Sequence, residues 1–130
     1  MSGRTPRGVP LGVLGFTLRA AEASDAVDVW EYAVDPAHFN PNGVLHGGVV
    51  MALLDTAMGA AVAAVVEPSG RFNAAAQLNV HFLAPVKAGR LRARATIKKM
   101  GKRLAFVESE ATDDDGHDVA IATSTHALLP

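Results

Sequence analysis

A chain of 130 residues suits one domain with its own core, and 49% hydrophobic residues argue against disorder. The absence of cysteine excludes a disulfide framework, a thiolate nucleophile and a cysteine metal site. It also fits a reducing compartment, so a cytoplasmic protein is expected. A formal charge of -1, from 12 basic and 13 acidic residues, argues against a protein held to nucleic acid by its phosphates.

Residues 1–15 begin Met1-Ser2-Gly3-Arg4, hold several Gly and Pro, and lack a continuous apolar run. They read as a loose N-terminal lead and not a signal peptide, with the domain spanning 16–130. Phe16–Ala21 and Ala26–Val34 read as strands, the second alternating through Val27, Val29 and Tyr32 with an irregularity near Trp30. Asp35-Pro36 ends the second, because a residue before proline is pushed out of the helical region. Asn40-Pro41-Asn42-Gly43 is turn chemistry. Gly47-Gly48 then leads into Val49–Val66, rich in Ala, Leu and Met, which Glu67-Pro68-Ser69-Gly70 stops as a helix. Its eighteen residues reach the lower limit of a membrane span, but the internal Asp55 and the lack of a flanking basic cluster argue for a core helix.

After Gly70 the period changes to two. Leu78, Val80 and Phe82 share one face up to the break at Pro85. Leu91, Ala93, Ala95 and Ile97 line one face of the next strand, with Arg90, Arg92, Arg94 and Lys98 on the other. Gly101-Lys102 is a hairpin turn, Leu104–Thr112 a strand, Asp113-Asp114-Asp115-Gly116 a polar turn, and Asp118–Leu128 the last strand. The order is two strands, one helix and four strands. A helix apolar nearly all round is covered nearly all round. One curved antiparallel sheet covers one side, so the other meets the N-terminal segment or a second subunit. Sheet edges need cover too, and a dimer joined edge to edge answers both needs. A homo-oligomer is expected.

Asp55 is the most informative residue. A carboxylate in an apolar helix either caps a neighbouring segment, marks a wet subunit seam, or serves as a general base or nucleophile. Gly47 and Gly48 stand at the helix start, where free N–H groups and the positive end of the dipole can polarise a carbonyl or bind an anion. A tight turn explains them equally. Asn40 and Asn42 either order the turn or face a ligand, and His46 either anchors the loop or moves protons. His38 can line a pocket, His81 and His126 fall on strands as structural or surface residues, and His117 is a turn residue. His46 lacks the clustered His, Asp or Cys partners of a metal site. The basic face from Arg90 to Lys98, with Lys99, Lys102 and Arg103, reads as a solvated sheet surface. The signatures of dinucleotide-binding, phosphate-loop and serine-hydrolase sites are missing.

Asn40-Pro41-Asn42-Gly43-Val44-Leu45-His46-Gly47-Gly48 followed by Ala52-Leu53-Leu54-Asp55 resembles the signature of the hotdog thioesterases. The match is to the phenylacetate-degradation and 4-hydroxybenzoyl-coenzyme A types. Leu78-Asn79-Val80-His81-Phe82-Leu83-Ala84-Pro85, Gly89, Gly101-Lys102 and Asp115-Gly116 agree with it. The resemblance implies an α+β hotdog fold, a long central helix wrapped by a curved antiparallel sheet. It implies hydrolysis of an acyl-coenzyme A substrate, aryl, arylacetyl or short-to-medium in its acyl part, by a dimer or dimer of dimers. In its terms Gly47 polarises the thioester carbonyl, Asp55 activates water or attacks directly, Asn40 places the reacting groups and His46 supports the loop. Gly48, Asn42, Ala75 and Gln77 then line the substrate, and Arg90, Lys102 and Arg103 are candidates for the coenzyme A phosphates. Ala75 departs from the pattern, since some relatives carry serine or threonine there, which leaves Gln77 or a backbone group to place the water. No metal or further cofactor is implied, and neither a membrane nor a nucleic-acid partner. The rival readings are a hotdog dehydratase or hydratase, and a domain that binds acyl-coenzyme A without cleaving it.

Overall fold

The computed structural model describes residues 8–10, 17–23 and 27–130, with side chains from residue 27 onward. Three strands, β1 (Gly8–Pro10), β2 (Thr17–Ala23) and β3 (Val27–Ala33), precede helix α1 (Gly47–Val66). Four follow it: β4 (Phe72–Phe82), β5 (Arg90–Met100), β6 (Leu104–Thr112) and β7 (Asp118–Leu129). All pairings are antiparallel, in the order β1-β2-β3-β5-β6-β7-β4, so β4 crosses past three strands to one edge of the sheet. This is the hotdog fold, a single long helix wrapped by a curved antiparallel sheet. The expected strand ending at Ala21 is β2, though its first residue, Phe16, lies outside the described residues. β1 adds a third strand from within the stretch read as a loose lead.

Helix α1 begins at Gly47, two residues before its apolar run, and ends where Pro68 lacks an N–H and Gly70 turns left-handed at φ 79°. Val49, Val50, Leu53, Leu54, Ala57, Met58, Ala61, Val62 and Val66 follow the helical period and are buried against the sheet. Leu91, Ala93 and Ala95 of β5, and Ala105, Val107 and Ala111 of β6, alternate onto the same core. Among the described residues nothing covers the opposite side of α1: Met51 and Val65 are exposed, as is Asp55. The helix is long and apolar enough to cross a membrane, but its buried side is the centre of this core.

Two strands differ from the alternation read in the sequence. In β3 the helix-facing residues are Trp30 and Tyr32, while Val29 pairs with Arg94 on the outer face. The irregularity lies on β2, where the register shifts between Ala20 and Glu22 opposite Trp30 and Val29. The buried Asp28 accepts the Trp30 indole N–H at 3.0 Å, which fixes that ring to the core side. In β4 a bulge separates Ala75, which pairs with His126, from Gln77, which pairs with Thr125. His126 and Thr125 are consecutive on β7 and face opposite ways, so Ala75 and Gln77 also face opposite ways.

Candidate active site

The loop before α1 is held from within. Asn40 Oδ1 accepts the backbone N–H groups of Asn42 at 2.9 Å and Val44 at 3.3 Å. The Asn40 main chain also pairs with Val44 and Gly43, and Gly43 takes φ 79°. Asn40 is thus a turn-closing residue in this chain, and Asn42 lies exposed in the same turn. His46 is the helix N-cap without a side-chain cap, its N–H bonded to the His38 carbonyl at 3.0 Å. His38 is itself anchored: its Nδ1 meets the Tyr32 hydroxyl at 2.6 Å. Burial pushes the Tyr32 phenol above its ordinary range, so it stays protonated, and it also accepts the Asp35 N–H at 3.3 Å.

Gly47 opens an apolar pocket of about 290 Å³ with Val44, Leu45, Val50, Phe82 and Val86. The Phe82 ring lies over the glycine, and a Cβ at this position would sit 3.1 Å from its Cζ. Gly48 is exposed with open space about it. With no acidic residue in the first helical turn, the positive end of the dipole is not neutralised locally.

Asp55 lines a different pocket, of about 390 Å³, with Trp30, Thr56, Gly59, Asn73, Ala75 and His126. The sequence leads one to expect this carboxylate enclosed in an apolar helix. In the single chain it stands exposed on the uncovered face, because α1 offers only one side to the sheet. Ala75 falls beside Asp55, whereas the bulge turns Gln77 to the outer face, away from this pocket. Arg90 is also on the outer face, 3.8 Å from Glu31, with Arg92 on the same carboxylate at 3.7 Å. Lys102 and Arg103 are exposed in the β5–β6 turn, where Arg71 donates to the Lys102 carbonyl at 2.7 Å. In one chain, therefore, Asp55 and Ala75 come together, while Gly47, Gln77 and Arg90 lie elsewhere.

His126, read from the sequence as a structural or surface residue, is 1% exposed and joins Asp55's pocket. Its Nδ1 lies 2.9 Å from Asn73 Oδ1 and its Nε2 2.8 Å from Ser124 Oγ. Asn73 Nδ2 donates to the Gly59 carbonyl of α1 at 3.3 Å. Burial lowers the His126 pKa, opposed by the negative charge of Asp55. The period-two run Ala120, Ala122, Ser124, His126, Leu128 marks this face as buried, and was the available signal for His126. Nothing local marks Asn73. A further acidic group, Asp113 with Asp115 and His117, closes the β6–β7 turn: Asp113 Oδ1 accepts the N–H groups of both, each at 2.9 Å.

A helix held in a hotdog sheet, with glycines at its start and a carboxylate on its open face, defines the class of protein. The chain belongs to the thioesterase superfamily, whose family profile matches residues 42–120. A Caenorhabditis elegans protein, named provisionally as an esterase, is 36% identical over 104 residues, or 78% of this chain and 60% of its own length. The chain thus spans less than two thirds of that relative. A mutant thioesterase of Pseudomonas aeruginosa is 26% identical with a TM-score of 0.82, over 87% of this chain and 81% of its own. A Bacillus halodurans protein solved with CoA is 35% identical with a TM-score of 0.74, over 78% of this chain and 66% of its own.

Proposed function

We propose that this chain hydrolyses an acyl-coenzyme A thioester, with an aryl, arylacetyl or short-to-medium acyl group, to the free acid and coenzyme A. Superfamily membership supports thioester hydrolysis, and the Bacillus halodurans relative solved with CoA supports coenzyme A as the carrier. The carrying observation is that Gly47 and Asp55 line separate pockets of one helix. Eight residues at 1.5 Å rise separate them by about 12 Å along α1, and a carboxylate side chain does not span that gap. A second copy of the chain closes it. An antiparallel α1 laid on the uncovered face brings each Asp55 to the partner's Gly47, giving two equivalent sites in a homodimer or a dimer of dimers.

In such a site the Gly47 N–H meets the charge that develops on the thioester oxygen. Either Asp55 takes a proton from water as that water adds, or its carboxylate adds first. Collapse then breaks the C–S bond and releases the coenzyme A thiolate, which is protonated. In the second course water cleaves the resulting acyl-aspartyl anhydride. The exposed Lys102 and Arg103 in the β5–β6 turn are the cations we assign to the coenzyme A phosphates.

The test is Asp55→Asn, which keeps shape and removes the base. We expect free thiol to be released by the wild-type protein from at least one member of an acyl-coenzyme A panel. The variant, with an unchanged melting curve, should lose at least about 100-fold in kcat. A folded variant with wild-type turnover would overturn the assignment. Enoyl absorbance changing without thiol release would point instead to a dehydratase.

A further inference from the structure

Resting on the thioesterase reading, we infer that Asn73 holds the water that Asp55 uses, and that His126 is the positioning residue that locks Asn73 in place. Asn73 lies on the same pocket wall as Asp55. Its amide has one possible orientation: the N–H side meets the Gly59 carbonyl, and a flip would set oxygen against oxygen. The amide oxygen therefore faces His126 Nδ1 at 2.9 Å, which makes that nitrogen the donor. The neutral ring then leaves Nε2 as acceptor, and the single proton of the Ser124 hydroxyl turns to it at 2.8 Å in preference to the Met58 sulfur at 3.2 Å. With both ring nitrogens so engaged, His126 contributes its geometry and not its own proton.

Asn73 Nδ2 carries two hydrogens. One goes to Gly59, and the second has no partner among the described residues. Among the described residues that N–H belongs to the one side-chain amide in the wall around Asp55, beside the Thr56 hydroxyl, where the Ala75 side chain, directly opposite His126, offers no polar atom. A water accepting it keeps both its protons, one for the Asp55 carboxylate, and a free lone pair for the carbon under attack. Water is consumed whether Asp55 acts as base or as nucleophile, so the same position serves both courses.

The experiment has a kinetic and a spectroscopic arm. Asn73→Ala and His126→Phe should each lower kcat by on the order of 10-fold or more, through misplacement of a reacting group. KM should change little. Coenzyme A binding, read from the fluorescence of Trp30, the single tryptophan and a wall of this pocket, should be unchanged. Because His126 acts through Asn73, the double variant should be no slower than Asn73→Ala. In wild-type protein, nitrogen-15 NMR should find His126 with its proton on Nδ1.

Losses that multiply in the double variant would overturn the lock, as would a proton on Nε2. Wild-type kcat in Asn73→Ala would overturn the role in catalysis. If His126→Phe does not fold, the Asn73→Ala kinetics and the tautomer of the wild-type ring still decide the matter. Turnover lost in Asp55→Asn but kept in Asn73→Ala defeats this inference alone, whereas no wild-type turnover on any acyl-coenzyme A defeats both readings.

Discussion

His126 is a buried base whose cost and position are both measurable. Burial disfavours its charged form, and the charge of Asp55 only partly offsets this. A histidine whose folded pKa lies below its unfolded value contributes fully above the unfolded pKa, near 6.5, because both states are then neutral. As pH falls through that value the unfolded chain gains a proton that the folded chain resists, and stability declines. We therefore expect the melting temperature to fall between pH 7 and pH 5, and His126→Phe to flatten that slope. Thermal melts of both proteins across the range measure it; an equal slope in the variant would assign the acid sensitivity to other groups. Asn40 teaches a different lesson. Its side-chain oxygen is committed to the turn that delivers Gly47.

At the scale of elements, α1 separates its two tasks by side. Leu53 is fully buried at the centre of the sheet-facing side, and the helix has no polar stripe to guide it otherwise. Leu53→Ala should cost about 2–5 kcal/mol of stability through lost transfer energy and the cavity left behind. Urea unfolding monitored by circular dichroism measures this, and a loss well under that range would mean that the core closes around the gap. β4 shows the complementary device. Its bulge lets Asn73 and Ala75 face the helix side near Asp55 while Gln77 turns outward, and beyond it Leu78 and Val80 return to the core. One extra residue thus changes which side chains serve the pocket.

Among the described residues α1 keeps an uncovered face and β4 a free edge, with Phe72 56% and Phe82 52% exposed along that strand. These are the surfaces an isologous partner would use. The shared-site arrangement makes a quantitative prediction. Asn40→Ala chains, with a misplaced Gly47 loop, and Asp55→Ala chains, with no carboxylate, should each form nearly inactive homodimers. Unfolded and refolded together with random mixing, half the dimers are mixed and each has one intact site, so activity should return to about a quarter of wild type. Thiol-release assays on the refolded mixture test this, alongside native mass spectrometry of the dimers. No recovery in proven mixed dimers would place the whole site within one chain.

Local order was written in the sequence. The β6 bounds, Leu104–Thr112, follow from period-two alternation between two turns, and the end of α1 follows from Glu67-Pro68 and Gly70. Both rest on backbone preferences within a few residues, as does the Asn40-to-Gly48 turn that resembles the family signature. Tertiary structure alone decided which way the side chains face across irregular pairings. Trp30 rather than Val29 turns to the helix, where Asp28 satisfies its N–H, and Val29 is buried on the other face. Asn73 and His126 are 53 positions apart and meet only because β4 crosses to the edge beside β7. The separation of Gly47 from Asp55 follows from eight residues of helix, but which side the sheet covers is not revealed by periodicity in so apolar a segment.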